Sequence, residues 1–212
     1  GLPVRVKTRL AVGKAKRVRA RKARRGKRRT RTVFVVKPQT RFGRTVKLTG
    51  RLTMPGANPL VGVPVEVFER VGLPGADFQR VATITTSKTG RFVFKALRGP
   101  SRTLRFRYPG TPTIRSRTSE VDLRVRAATT IRPSRRFVVT GEYVTFRGRL
   151  KGGPVPAEGK VVELQVYARG RWRTFATTRA RAGDGRWSYQ YRVDATRGRV
   201  TYRFRARIRR EA

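Results

Sequence analysis

Tyr202-Arg203-Phe204-Arg205-Ala206-Arg207-Ile208-Arg209 alternates apolar and cationic residues without a break. A period of two sends successive side chains to opposite faces of an extended chain, so this stretch reads as a half-buried strand with arginine outward. The same alternation sets Trp187, Tyr189, Tyr191 and Val193 against Arg186, Ser188, Gln190 and Arg192. It sets Leu104, Phe106 and Tyr108 against Arg105 and Arg107, and Leu123 and Val125 against Arg124 and Arg126. Turn signals separate such runs: Pro55-Gly56, Gly72 to Gly75, Thr89-Gly90, Pro109-Gly110, Gly152-Gly153-Pro154 and Gly183-Asp184-Gly185. No stretch carries a helical period. Short strands with regularly spaced turns predict an all-β chain built as an antiparallel β-sandwich.

The runs recur in order. Val46–Leu52 answers Val144–Leu150, Val65–Phe68 answers Val162–Gln165, and Val81–Thr83 answers Phe175–Thr177. Gly90–Phe94 answers Gly185–Tyr189, and Leu104–Tyr108 answers Tyr202–Ala206, at offsets of 94 to 98. Collinear matches at near-constant offset predict two tandem copies of one domain. The expected division is a basic, largely disordered segment over 1–31, a first sandwich over 32–126 and a second over 127–212. Mapping the end of the first copy onto the second places its last strand beyond residue 212, so the second sandwich is expected to lack that strand. Residues 4–10 resemble Leu123–Thr129 and are expected to end a preceding copy. The opening Gly1-Leu2-Pro3-Val4 is read as the start of an internal fragment.

The skeleton Gly50-Arg51-Leu52, Pro64-Val65-Glu66-Val67, Thr86 to Phe92 and Leu104 to Gly110, followed by Glu120 to Arg126, resembles the Ig-like repeats of bacterial secreted and surface proteins. The likeness is to the carboxypeptidase-regulatory-like and collagen-adhesin B-type families, and it extends over roughly residues 33–212. It implies Ig-like sandwiches in an extracellular or cell-surface protein, acting as spacer, stalk or adhesion module. Its motifs mark strands and turns and name no catalytic residue.

Composition excludes many functions. The 212 residues hold 54 Lys+Arg against 11 Asp+Glu, a net charge of +43, with no Cys and no His. That removes thiolate and imidazole metal sites, disulfides and His-based catalytic dyads or triads. The acids are scattered, so an enzyme is not expected, nor a cofactor or metal. No apolar run reaches the length of a membrane span. Val outnumbers Leu 26 to 11 and Thr reaches 24, a β-branched excess that agrees with strands.

The cations suggest a polyanion partner. In the 18 residues from Lys14 to Arg31, 12 are basic: Lys14, Lys16, Arg17, Arg19, Arg21, Lys22, Arg24, Arg25, Lys27, Arg28, Arg29 and Arg31. Such a block repels itself and is expected to stay extended without a partner. It reads either as a polyanion-binding arm or as a charged linker. Arg105, Arg107, Arg203, Arg205 and Arg207 on strand faces are the second candidates. Like charges directly opposite one another on neighbouring strands, among Arg105, Arg107, Arg124 and Arg126, would be relieved by a bound polyanion. The competing reading is that an outward face must be polar and arginine supplies it. Trp187, Tyr189 and Tyr191 share one apolar phase and read as core; Trp172, between Arg171 and Arg173, is left open between core and sugar stacking. The expected partner is an anionic cell-wall polymer or polysaccharide. The alternative is a cytosolic protein that binds DNA or RNA through the phosphate backbone. The chain shows neither a recognition helix nor an exposed aromatic pair on a basic sheet.

Overall fold

The computed structural model describes residues 5–19, 30–73, 75–194 and 198–209. Its regular structure is strand, apart from one 3-10 turn at Pro55–Ala57. The chain divides into two compact units, Gly1–Val125 and Arg126–Ala212.

The first unit carries β1 (Arg9–Arg19), β2 (Thr30–Val35), β3 (Gln39–Arg41), β4 (Val46–Thr53), β5 (Pro64–Val71), β6 (Gln79–Thr85), β7 (Arg91–Ala96), β8 (Arg102–Tyr108) and β9 (Arg117–Arg126). They form two sheets, β2-β1-β4-β7 and β3-β9-β8-β5-β6. Leu10, Val12, Leu48 and Phe92 from the first sheet meet Val67, Phe106 and Val121 from the second in one buried cluster. The Phe92 and Phe106 rings lie 5.8 Å apart across the two sheets. The order β1-β4-β7 against β9-β8-β5-β6 is that of strands A-B-E against G-F-C-C′ in an immunoglobulin-type sandwich.

The second unit carries β10 (Ala128–Thr129), β11 (Arg132–Pro133), β12 (Tyr143–Lys151), β13 (Lys160–Ala168), β14 (Arg171–Ala180), β15 (Arg186–Arg192) and β16 (Arg203–Ile208). β10 and β11 pair with one edge of β12 and β15 with the other, while β14-β13-β16 forms the opposing sheet. Val144, Phe146, Leu150, Val162, Leu164 and Trp187 are buried between them, with Tyr189 and Tyr191 partly buried against that cluster. The Phe146 and Phe204 rings close the core at 4.8 Å. Among the described residues β16 pairs with β13 alone, whereas β8 pairs with both β5 and β9.

The two units agree in detail. Each has a register shift in its third major strand, between Val67 and Phe68 and between Leu164 and Gln165. Each has a glycine under a large ring. Gly50 stands opposite Phe92 and Gly148 opposite Trp187. A Cβ on Gly50 would enter the Phe92 ring, and one on Gly148 would meet both the Trp187 ring and the Thr130 carbonyl. Glycine is required here by space, because the ring lies across the strand.

The N-terminal region departs from expectation. Leu10 and Val12 are buried in the core of the first unit, and β1 pairs with β4 from Arg9 to Gly13. Residues 5–10 therefore belong to the first unit and do not end a preceding copy. Beyond Gly13 the strand continues into a hairpin with β2, so Lys14–Arg19 and Thr30–Arg31 are ordered, not disordered. The register explains why self-repulsion does not melt it. Lys14 faces Val35, Lys16 faces Val33, Arg17 faces Thr32, Arg31 faces Val18 and Arg19 faces Thr30, so no cation stands opposite another.

Candidate polyanion-binding surface

The acids of the first unit lie away from its first sheet. Glu66 Oε2 accepts from Arg107 Nε at 2.8 Å, and its other oxygen lies 3.6 Å from Arg80. Glu120 Oε1 accepts from Arg105 Nε at 2.7 Å. Asp122 Oδ1 accepts from the Thr103 hydroxyl at 3.2 Å. Glu69 pairs with the buried Arg102, whose Nε is 3.0 Å away in a geometry short of a hydrogen bond. The remaining guanidinium nitrogens of Arg102 donate to the Pro100 and Leu97 carbonyls at 2.9 and 2.5 Å. The condition for like-charge facing among Arg105, Arg107, Arg124 and Arg126 is not met on β8 and β9. Arg105 stands opposite Glu120 and Arg107 opposite Thr118. Arg105 also stacks on Phe78 at 3.6 Å. These arginines are neutralised by acids that register brings across the sheet.

The opposing sheet has no such acids. β1, β2, β4 and β7 contain ten Lys and Arg residues and neither Asp nor Glu. Here like charges do face each other: Lys47 opposite Lys95, and Arg51 opposite Arg91. Lys14, Lys16, Arg17, Arg19 and Arg31 extend this sheet through the hairpin; Arg21, Lys22, Arg24, Arg25, Lys27, Arg28 and Arg29 fall outside the described residues. Arg17, Arg51 and Arg91 line one concavity on its outer face, together with Ala15, Thr32, Phe34, Thr49 and Val93. Thr49 Oγ1 and Arg51 Nε are shielded from water there and make no hydrogen bond. An unmatched buried polar atom costs about 1–3 kcal/mol.

The second unit repeats the facing arginine pair, with more arginines around it, Arg132 opposite Arg147 among them, and one carboxylate. Arg149 stands opposite Arg186, as Arg51 stands opposite Arg91. The concavity beside this pair is lined by Arg132, Arg147, Arg179 and Arg181 as well. Here a carboxylate sits among the cations. Asp184 Oδ2 lies 3.2 Å from Arg181 and 3.7 Å from Arg186. Its Oδ1 accepts from the Arg186 backbone N–H at 2.9 Å, and its carbonyl accepts from Arg149 Nε at 2.8 Å. The Asp184 pKa is lowered, first by that backbone hydrogen bond and then by the charges of Arg181, Arg186 and Arg149. In the first unit the corresponding acceptor for the Arg91 N–H is the neutral hydroxyl of Ser87, at 3.2 Å.

The cations of β16 are placed differently from the repeat alignment. Across the equivalent bulge Arg105 stands opposite Phe68, and Arg205 stands opposite Gln165. Arg205, and not Arg203, is therefore the counterpart of Arg105, a slip of two residues that preserves which face points inward. Arg205 donates to Gln165 Oε1 at 2.8 Å and stacks on Trp172 at 4.3 Å. Trp172 also meets Tyr167 edge-on at 5.3 Å. Arg207 faces Glu163 and Arg203 faces Tyr167 in register. The strand-face arginines singled out from sequence are thus largely engaged. Arg51 and Arg91, which face each other with no acid in ion-pair reach among the described residues, and their counterparts Arg149 and Arg186, which have Asp184 beside them, are the pairs sequence reading passed over, although each follows a repeated glycine: Gly50, Gly90, Gly148 and Gly185.

Among the described residues no group of His, Cys, Asp and Glu could hold a metal ion, and no helix is long and apolar enough to cross a membrane.

No family model and no curated protein matches the chain. Among solved structures it is similar to the native conformation of E. coli alpha-2-macroglobulin, with 15% identity and a TM-score of 0.32, over 82% of this chain and 14% of that one. It is also similar to Salmonella alpha-2-macroglobulin reacted with methylamine, with 12% identity and a TM-score of 0.35, over 98% of this chain and 15% of that one. Likeness at this level transfers no activity or partner to this chain.

Proposed function

We propose that this chain is a non-enzymatic structural or adhesion module, made of two tandem copies of one Ig-like sandwich from a secreted or cell-surface bacterial protein, that holds anionic polymer by charge. The matching bulges, ring-bearing glycines and facing arginine pairs support duplication of one domain. The segregation of charge in the first unit carries the binding reading. A sheet with ten cations and no acid repels itself, and a polyanion that releases its counterions there relieves the repulsion. A merely polar outward face would mix acids among its cations, as β5, β8 and β9 do. Anionic wall polymer or acidic polysaccharide is the ligand class.

The test separates the sheets. Binding of the whole chain to polyphosphate is measured against salt. Replacing Lys47, Arg51, Arg91 and Lys95 by Gln is expected to lower the slope of log affinity against log salt by roughly 3. The same number of changes at Arg70, Arg80, Arg105 and Arg107 is expected to lower it by less than half as much. Equal losses would overturn the reading. Location is tested by treating intact source cells with external protease. Loss of this segment, with a cytosolic control untouched, supports a surface role. Protection until lysis would overturn it and turn the reading to nucleic acid.

A further inference from the structure

Arg149 and Arg186 have Asp184 beside them; Arg51 and Arg91 have no carboxylate. The backbone role of that residue is kept in the first unit, since Ser87 Oγ accepts from the Arg91 N–H as Asp184 Oδ1 does from the Arg186 N–H. Its charge is not kept. The third cation changes source as well: Arg181 comes from the turn itself, whereas Arg17 is brought in by the inserted hairpin. The first concavity therefore gathers three arginines with no carboxylate beside them, and two hydrogen-bonding groups at it, Thr49 Oγ1 and Arg51 Nε, lack partners.

We infer that the concavity formed by Arg17, Arg51, Arg91 and Thr49 is an oxyanion site, in which a bound phosphate group takes the electrostatic place that the Asp184 carboxylate holds in the second unit. Phosphate fits better than carboxylate. Three guanidinium groups and a hydroxyl offer more donors than two oxygens accept, and arginine forks match tetrahedral oxyanions bidentately. Phe34 and Val93 form an apolar wall that lowers the local dielectric and strengthens each contact. The inference deepens the polymer-binding reading by naming where one phosphate of the polymer sits, and it also holds for free phosphate.

The experiment uses the whole chain with inorganic phosphate and, separately, polyphosphate, read by backbone amide shifts and affinity. Phosphate is expected to shift the amides of residues 49–51 and 87–93, and not those of 183–186. Arg51→Gln and Arg91→Gln are each expected to weaken it about tenfold or more. Ser87→Asp supplies an internal carboxylate. It is expected to abolish the phosphate response and to raise the melting temperature without phosphate, a gain that misfolding would not give. Polyphosphate sensitive to these changes makes the polymer the source; polyphosphate insensitive to them, with inorganic phosphate still sensitive, makes free phosphate the source, and both support the site. Polyphosphate binding with no local phosphate response would overturn the site and leave the polymer reading standing. A local phosphate response without polyphosphate binding would overturn the polymer reading and leave the site.

Discussion

At Ser87–Arg91 and Arg181–Arg186 the two units turn into the second strand of the pair, over five and six residues, and end with different charge balance. In both, the first residue of the second strand, Arg91 or Arg186, donates its N–H to a side chain in the turn, and in both a glycine, Gly90 or Gly185, precedes it. In the second unit the accepting side chain is a carboxylate, which also pairs with Arg181 and Arg186 and offsets part of their charge. In the first it is a hydroxyl, and among the described residues no acid pairs with Arg51 or Arg91, which face each other. The strand's first N–H is satisfied from a different turn position in each unit, by Ser87 four residues before it and by Asp184 two residues before it, and only the second acceptor brings a negative charge to the face.

Four measurements sharpen or break this comparison. The largest effect belongs to the shared scaffold. Gly148→Ala is expected to cost the second unit about 3 kcal/mol or more, because the new methyl meets the Thr130 carbonyl as well as a ring. Gly50→Ala should cost the first unit less, about 2 kcal/mol, since only the Phe92 ring must give way. Denaturant titration measures both, and tryptophan fluorescence reports the second unit alone, because Trp172 and Trp187 are the two tryptophans of the chain. Equal costs would mean that the two glycine notches are packed alike.

Next comes a feature of the first unit. Glu69→Gln leaves the guanidinium of Arg102, 3% exposed, without its acid. Removing one partner of a buried pair is expected to cost about 3 kcal/mol. Loss of less than 1 kcal/mol in denaturant titration would show that the Pro100 and Leu97 carbonyls suffice.

Salt should divide the units. The first is expected to gain stability from 20 to about 500 mM salt, because screening weakens the Lys47–Lys95 and Arg51–Arg91 repulsions. The second should gain less, and Asp184→Asn should make it respond like the first. Hydrogen exchange resolved by unit measures this; a flat or falling stability of the first unit contradicts it.

The smallest effect is on acid. Asp184 titrates below the ordinary aspartate value of 3.8 in the folded chain. Its contribution is therefore present above that value and lost as pH falls through the lowered one. Tryptophan-monitored melting of the second unit should decline across that window more steeply than in Asp184→Asn. Identical pH profiles would mean that Asp184 acts only through its backbone carbonyl.

The strand pattern was readable because alternation is local: Phe106 and Arg107 announce opposite faces wherever they sit. Trp187 proved buried as its phase required. Within the basic block, the described part, Lys14–Arg19 and Arg31, departs from expectation because composition counts charges and not their partners. Lys14, Lys16 and Arg17 fall opposite Val35, Val33 and Thr32, a register set by Gly13 and the β4 edge, which no window of sequence contains. The two-residue slip of β16 escaped for a related reason, since alternating Arg-apolar text matches itself at every even shift.

Sequence alone determined that this chain is β-structure, that the arginines alternating with apolar residues, such as Arg105 and Arg107, face outward and that it lacks thiol and imidazole chemistry, because each follows from residue type and short-range period. Tertiary structure decided which cations meet acids. Arg105 finds Glu120 and Arg107 finds Glu66, while Arg51 finds Arg91. Pairing across a sheet depends on register between segments remote in the chain, and charge is neutralised only at contact distance.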